Sequence, residues 1–173
     1  MLNIKRAFKT MNKEGSGTSW YYRLPNSNVL VSNGYVIVTV SNTFFEENKD
    51  VLNNLHENSS LLDIAREARE SIEQQTTNVK ETSLMYKYDD RLFRILKPEQ
   101  GRLVAINEKY LQVFDDCEKS HFFVTTKPKT SASAIKTPLF NCVVIEGTKE
   151  IYDFNCILPV LMDCEALLNK VLN

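Results

Sequence analysis

The most constraining feature of this chain is an abrupt change of period near its start. Ile4, Ala7, Phe8 and Met11 recur at i, i+3, i+4 and i+7, the spacing that puts side chains on one face of an α-helix. Lys5, Arg6, Lys9 and Lys13 fall off that face, and Gly15-Ser16-Gly17 ends the pattern because glycine disfavours a continuing helix. Three runs rich in β-branched and aromatic residues follow: Trp20–Leu24, Val29–Ser32 and Gly34–Val40. Pro25-Asn26-Ser27-Asn28 and Asn33-Gly34 separate them. An Asn-Gly pair between such runs predicts a tight hairpin. A helix followed at once by a meander reads as an α+β fold.

A related order returns later. Leu84–Tyr88 and Arg91–Leu96 read as strands around an Asp89-Asp90 turn, and Leu103–Ile106 as another. Asn107–Phe114 reads as a short helix with Tyr110, Leu111 and Phe114 on one side. His121–Thr126, Phe140–Glu146 and Ile151–Leu158 read as three more strands, and Asp163–Leu172 as a terminal helix. The pattern is a weak internal duplication without sequence identity.

Between the two units the chain changes character. Residues 44–75 hold eight acidic and three basic side chains. Leu61, Ile64, Ala65, Ala68 and Ile72 form a helical stripe behind a Ser60–Asp63 pair that resembles a capping box. Gln74–Thr82 reads as a polar loop. Residues 42–80 are thus expected to be an acidic helical insertion within one domain spanning residues 1–173, a size that buries a core without metals or disulfides.

Several motifs are similar to the last domain of bacterial DNA sliding clamps. Val104-Ala105-Ile106-Asn107-Glu108-Lys109-Tyr110-Leu111 resembles the clamp strand that leads into a helix with an Asn-x-x-Tyr-Leu pattern. Thr137-Pro138-Leu139-Phe140 resembles the pair that opens a following strand. Ile157-Leu158-Pro159-Val160-Leu161-Met162 resembles the Met-Pro end of the last strand. Ser32-Asn33-Gly34-Tyr35 resembles a clamp turn between two strands. The resemblance implies a single clamp-like domain of two helix-plus-sheet units, with helices on one side and sheets on the other. The chain departs from the pattern in having room for one such domain and in its acidic segment. The Lys-Arg-Ala-Phe helix followed by a Ser-Asn-Gly-Tyr hairpin also resembles phage-encoded anti-CRISPR inhibitors.

The candidate sites follow from charge. Residues 1–23 carry five cations and one anion. Lys5, Arg6, Lys9 and Lys13, joined by Lys109, are the candidate nucleic-acid contacts, since phosphate neutralisation drives such binding. The alternative is a solvated helix face. Lys127, Lys129 and Lys136 form a second basic stretch that reads more simply as a surface loop. Glu46, Glu47, Asp50, Glu57, Asp63, Glu67, Glu70 and Glu73 are candidates for an acidic face that imitates phosphates and enters a basic groove on a partner. Arg66 and Arg69 interleave with them as on an ordinary exposed helix. Cys117 and His121 have a spacing compatible with a metal, and Cys142, Cys156 and Cys164 are possible further ligands. Thiols in apolar strands are more simply small core hydrophobes, so no metal or other cofactor is expected.

Two histidines, no glycine-rich phosphate loop and no nucleophile elbow leave no enzyme signature. No apolar run reaches the length of a membrane span, and Met1–Met11 lacks the apolar core of a signal peptide. The expectation is a cytoplasmic, non-catalytic interaction protein whose partner is a DNA-processing protein of the host, most concretely a CRISPR nuclease, with duplex DNA as a further partner. A small clamp that oligomerises around DNA is the alternative.

Overall fold

The computed structural model describes residues 4–14, 17–66, 76–88, 90–99, 104–112, 122–125, 143–145 and 156–157. The fold is mixed α+β. The first unit follows its sequence pattern closely. Helix α1 (Ile4–Glu14) buries Ala7, Phe8 and Met11. Strands β1 (Ser19–Arg23), β2 (Asn28–Ser32) and β3 (Val36–Ser41) form an antiparallel meander. At the β2–β3 turn Gly34 has φ 88°, a left-handed conformation that costs glycine nothing.

The next segment differs from the expected acidic helical insertion. Ser41 accepts a hydrogen bond from the Phe44 amide at 3.2 Å and starts helix α2 (Asn42–Asn48). A 3-10 turn at Lys49–Val51 follows. Strand β4 (Leu55–Glu57) then pairs parallel with β1. Residues 60–66 are helical (α3), with Leu61 and Ala65 buried as the stripe requires. Ser60 already lies inside this helix. The Asn58 side chain, not Ser60, accepts the amide at its start, from Ser60 at 3.0 Å. Ala68 and Ile72 lie outside the described residues. Strand β5 (Thr76–Tyr88) occupies much of the stretch expected to be a polar loop.

β5 is continued by β6 (Arg91–Pro98), β7 (Val104–Asn107), helix α4 (Glu108–Leu111), β8 (Phe122–Thr125), β9 (Val143–Ile145) and β10 (Cys156–Ile157). The hydrogen-bonded order is β4-β1-β2-β3-β10-β9-β8-β5-β6-β7. The run β1-β2-β3 is thus mirrored by β8-β9-β10 about the β3–β10 contact. β5 turns the corner of the sheet. Thr76–Asn78 pair with β8, whereas the residues from Val79 to Tyr88 pair with β6.

One core joins the two units. Ala7, Phe8 and Met11 of α1 meet Val29 and Val31 of β2 and Val36, Val38 and Val40 of β3. Phe45 of α2, Leu96 of β6, Ile106 of β7, and Tyr110 and Leu111 of α4 belong to the same cluster. Burying a side chain such as Phe8 stabilises the fold by about 1.5–3 kcal/mol. Leu30 and Ile37, on the opposite face of β2 and β3, are also fully buried, so both faces of this part of the sheet are covered. Among the described residues no helix is long and apolar enough to cross a membrane.

Candidate nucleic-acid interface

Packing fixes which face of α1 remains available. The helix lies between α2 and α4. Phe8 meets Phe44 edge-on with ring centroids 5.7 Å apart, and Asn12 Oδ1 accepts from the Asn53 amide at 3.0 Å. On the other side Arg6 donates to Gln112 Oε1 at 3.1 Å. Lys5, Arg6, Lys9 and Lys13 are all exposed. At about 100° per residue these four fall within an arc of roughly 100°, centred opposite Ala7, Phe8 and Met11. These four residues thus share one exposed side of the helix.

The acid of this helix is withdrawn from that face. Glu14 is buried, accepts from Asn107 Nδ2 at 3.3 Å and forms an ion pair with Lys109. Burial alone raises the carboxyl's pKa. The Lys109 and Asn107 hydrogen bonds, with the charges of Lys109 and Arg91, outweigh it and hold the group below the usual carboxylate range. α1 thus presents cations outward while its carboxylate ties it to α4.

Lys109 is consequently a different kind of residue from the other candidates. Its ammonium is committed to Glu14, so it is a tether between helices before it is a phosphate contact. Its neighbour Glu108 is buried and paired with Arg94 of β6. One Glu108 oxygen, Oε2, is buried with no hydrogen-bond partner. Asn107 caps the helix, its Oδ1 accepting from the Lys109 amide at 3.0 Å.

The candidate acids among the described residues differ in their partners. Glu46 pairs with Arg23 and with Lys49, the latter at 2.7 Å. The Arg23 and Lys49 hydrogen bonds hold its carboxyl below the usual range. Arg23 also bonds Asn42 and lies 5.7 Å from the Tyr21 ring and 5.5 Å from that of Phe45. Asp63 lies 3.8 Å from Arg66 on α3. Glu47 of α2, Asp50 of the 3-10 turn and Glu57 of β4 are exposed. Glu67, Glu70, Glu73, Cys117, His121, Cys142 and Cys164 lie outside the described residues. The described residues include no group of three potential metal ligands.

Sequence reasoning missed the residue that joins these parts. Asn33 is 1% exposed. Its Nδ2 donates to the Met11 carbonyl at 3.1 Å and to Tyr110 Oη at 2.8 Å. Its Oδ1 accepts from the Tyr35 amide at 3.1 Å and the Val36 amide at 3.3 Å. One side chain thus fixes the end of α1, the β2–β3 turn and α4. Tyr35 stacks on Tyr110 with centroids 6.3 Å apart. Burial pushes the Tyr110 hydroxyl up to about 12 despite its bond to Asn33. The signal in sequence was an Asn-Gly turn, which specifies a hairpin and says nothing about a distant tyrosine.

Comparison with known proteins finds no match to any protein-family model, curated protein or solved structure.

Proposed function

We propose that this chain is a non-catalytic interaction protein of nucleic-acid machinery, engaging its target through the exposed face of α1. The observation that carries this reading is the segregation of charge on that helix: four cations share one outward arc while the carboxylate of Glu14 is turned into the fold. A face of this kind attracts phosphates and steers their approach. In its most concrete form the protein is a phage-type inhibitor of a CRISPR nuclease in the cytoplasm. It binds the nuclease, the DNA, or both, and acts by occupancy without turnover. Glu47, Asp50 and Glu57 are among the exposed acids of the described part and offer contact to a basic groove on that nuclease.

The test is co-elution of the purified protein with CRISPR nucleases, together with cleavage assays. The expected result is a complex and reduced DNA cleavage. No complex, no loss of cleavage across several nucleases and no DNA binding would refute the reading.

A second reading, a small sliding clamp, draws on one observation. The mirrored strand order about β3 and β10, with α1 and α4 side by side, suits a clamp-like domain of two units. A clamp must close a ring from several subunits. Sizing in solution separates the readings, because a persistent monomer cannot encircle DNA.

A further inference from the structure

The spacing of the α1 cations narrows what they are built to meet, and this step rests on the nucleic-acid reading above. Lys5, Lys9 and Lys13 are four residues apart. Each step is a rise of roughly 6 Å and a turn of about 40° along an α-helix. The three residues therefore form a row that rises roughly 12 Å along the helix axis while turning about 80° around it. Their repeat is close to the separation of neighbouring phosphates along one nucleic-acid strand.

The borders of the row differ in charge. On the α4 side lies Arg6, bonded to Gln112. On the other side lie α2 and the 3-10 turn, held there by the Phe8–Phe44 and Asn12–Asn53 contacts. That side carries the exposed acids Glu47 and Asp50. Among the described residues, Lys5, Lys9, Lys13, Glu47 and Asp50 make no ion pair with one another or with other groups. The 3-10 turn also carries Lys49, which pairs with Glu46 and feels the charge of Asp50, so Glu47 and Asp50 are the acids of that side without a close ion pair. An exposed carboxylate on that side repels any phosphate chain that comes within the Debye length of about 8 Å in physiological salt.

α1 also offers little beyond its cations. The aromatic side chain of α1, Phe8, is buried, so the helix offers no platform on which unstacked bases stack. The Asn12 side-chain oxygen is occupied by the Asn53 amide. Contact limited to phosphates positions a protein on DNA without selecting sequence.

We infer that α1 lies along one strand of duplex DNA, with Lys5, Lys9 and Lys13 each meeting one phosphate and Glu47 and Asp50 closing the α2 side to the polyanion. Fluorescence anisotropy with a short labelled duplex, from about 50 to about 200 mM salt, tests this. Three phosphate contacts give a slope of log K against log salt of about −2.7, and each Lys→Ala change at position 5, 9 or 13 reduces its magnitude by about 0.9. A scrambled duplex binds equally well. The pair Glu47→Gln and Asp50→Asn tightens binding severalfold at low salt. Thermal melts of each variant, expected unchanged for these exposed positions, separate lost contact from lost fold. A slope that the lysine changes leave in place, a tenfold preference for one sequence, or unchanged affinity in the Glu47/Asp50 pair overturns the inference while leaving nucleic-acid binding intact. Absence of any duplex binding overturns the inference together with the direct nucleic-acid contact it rests on.

Discussion

Replacing Asn33 with alanine removes a side chain that satisfies buried groups in three elements at once. The substitution strands the Met11 carbonyl, the Tyr110 hydroxyl and the amides of Tyr35 and Val36. Leaving a buried polar group without a partner costs about 1–3 kcal/mol. The Tyr110 hydroxyl can rotate and the Val36 contact is long, so two full losses are a fair count. At about 2 kcal/mol each the expected destabilisation is about 4 kcal/mol, and for a chain of this length the melting temperature falls by roughly 8–16 °C. Urea and thermal unfolding of Asn33→Ala measure both quantities. Asn33→Asp separates hydrogen bonding from packing. Its carboxylate still accepts from the two amides but turns a negative oxygen toward the Met11 carbonyl. Burial and the facing Met11 carbonyl disfavour the charged carboxyl more than the two amides favour it, so its folded pKa lies above its unfolded value. Relative to the wild type, its deficit is therefore smallest below the unfolded pKa and grows as pH rises through the folded one. Asn33→Ala has no such titration. An Asn33→Ala protein within about 1 kcal/mol of the wild type would refute the reasoning, since a single stranded group already costs that much.

The remaining tests address the links between α1, α4 and the sheet. Phe8→Ala, at a side chain fully buried in the core, is expected to cost about 3–5 kcal/mol in chemical unfolding. Arg94→Met leaves Glu108 as an uncompensated buried charge and is expected to cost about 3–5 kcal/mol. Adding Glu108→Leu should restore most of that, and no recovery would show that the pair does more than neutralise itself. Glu14 has a depressed carboxyl pKa, so its contribution is present above the unfolded value of about 4.3 and is lost as pH falls through the lower folded value. Urea midpoints at neutral and acidic pH should show Lys109→Met less stable than wild type at neutral pH and less sensitive to acid. In an absorbance titration, Tyr110→Phe should abolish a phenolate step near the pKa of about 12 expected for the buried hydroxyl.

The parts of this fold that were legible in sequence are those specified by neighbours in the chain. The α1 stripe, the meander from β1 to β3 and the Asn107 start of α4 depend on period and on local turn and cap chemistry, and the structure places them within a residue or two. The segment after Ser41 was not legible for three separate reasons. α2 has seven residues, too few for an apolar stripe to repeat, and its Phe44-Phe45 pair fits several environments. β4 exists through parallel pairing with β1, which no local pattern announces. The first half of β5 contains Thr76, Thr77, Asn78, Lys80, Glu81 and Thr82, a polar run with no alternation. Its strand conformation is set by hydrogen bonds to β8 and β6. Tertiary pairing overrides propensity in each case. At the candidate site the cations were legible by spacing, but their commitments were not. Glu46 counts as a free acid until Arg23 is found beside it, and Lys109 as a free cation until Glu14 is.

That commitment bears on which helix can act. The mirrored strand order makes α1 and α4 counterparts, yet their charges are used in opposite ways. α1 exposes four cations and buries its acid. α4 spends Glu108 on Arg94 and Lys109 on Glu14, so both of its charged side chains hold the fold together. An interface that drew on both helices would have to share the Lys109 ammonium, which is more than half exposed, between Glu14 and a phosphate. On the proposed reading α4 chiefly orients α1, and α1 supplies most of the contact to the polyanion. Substitutions at Lys5 and Lys9 should accordingly lower binding without lowering stability, whereas substitutions at Lys109 should lower stability first. A ring whose inner wall uses every helix equally is hard to reconcile with that division.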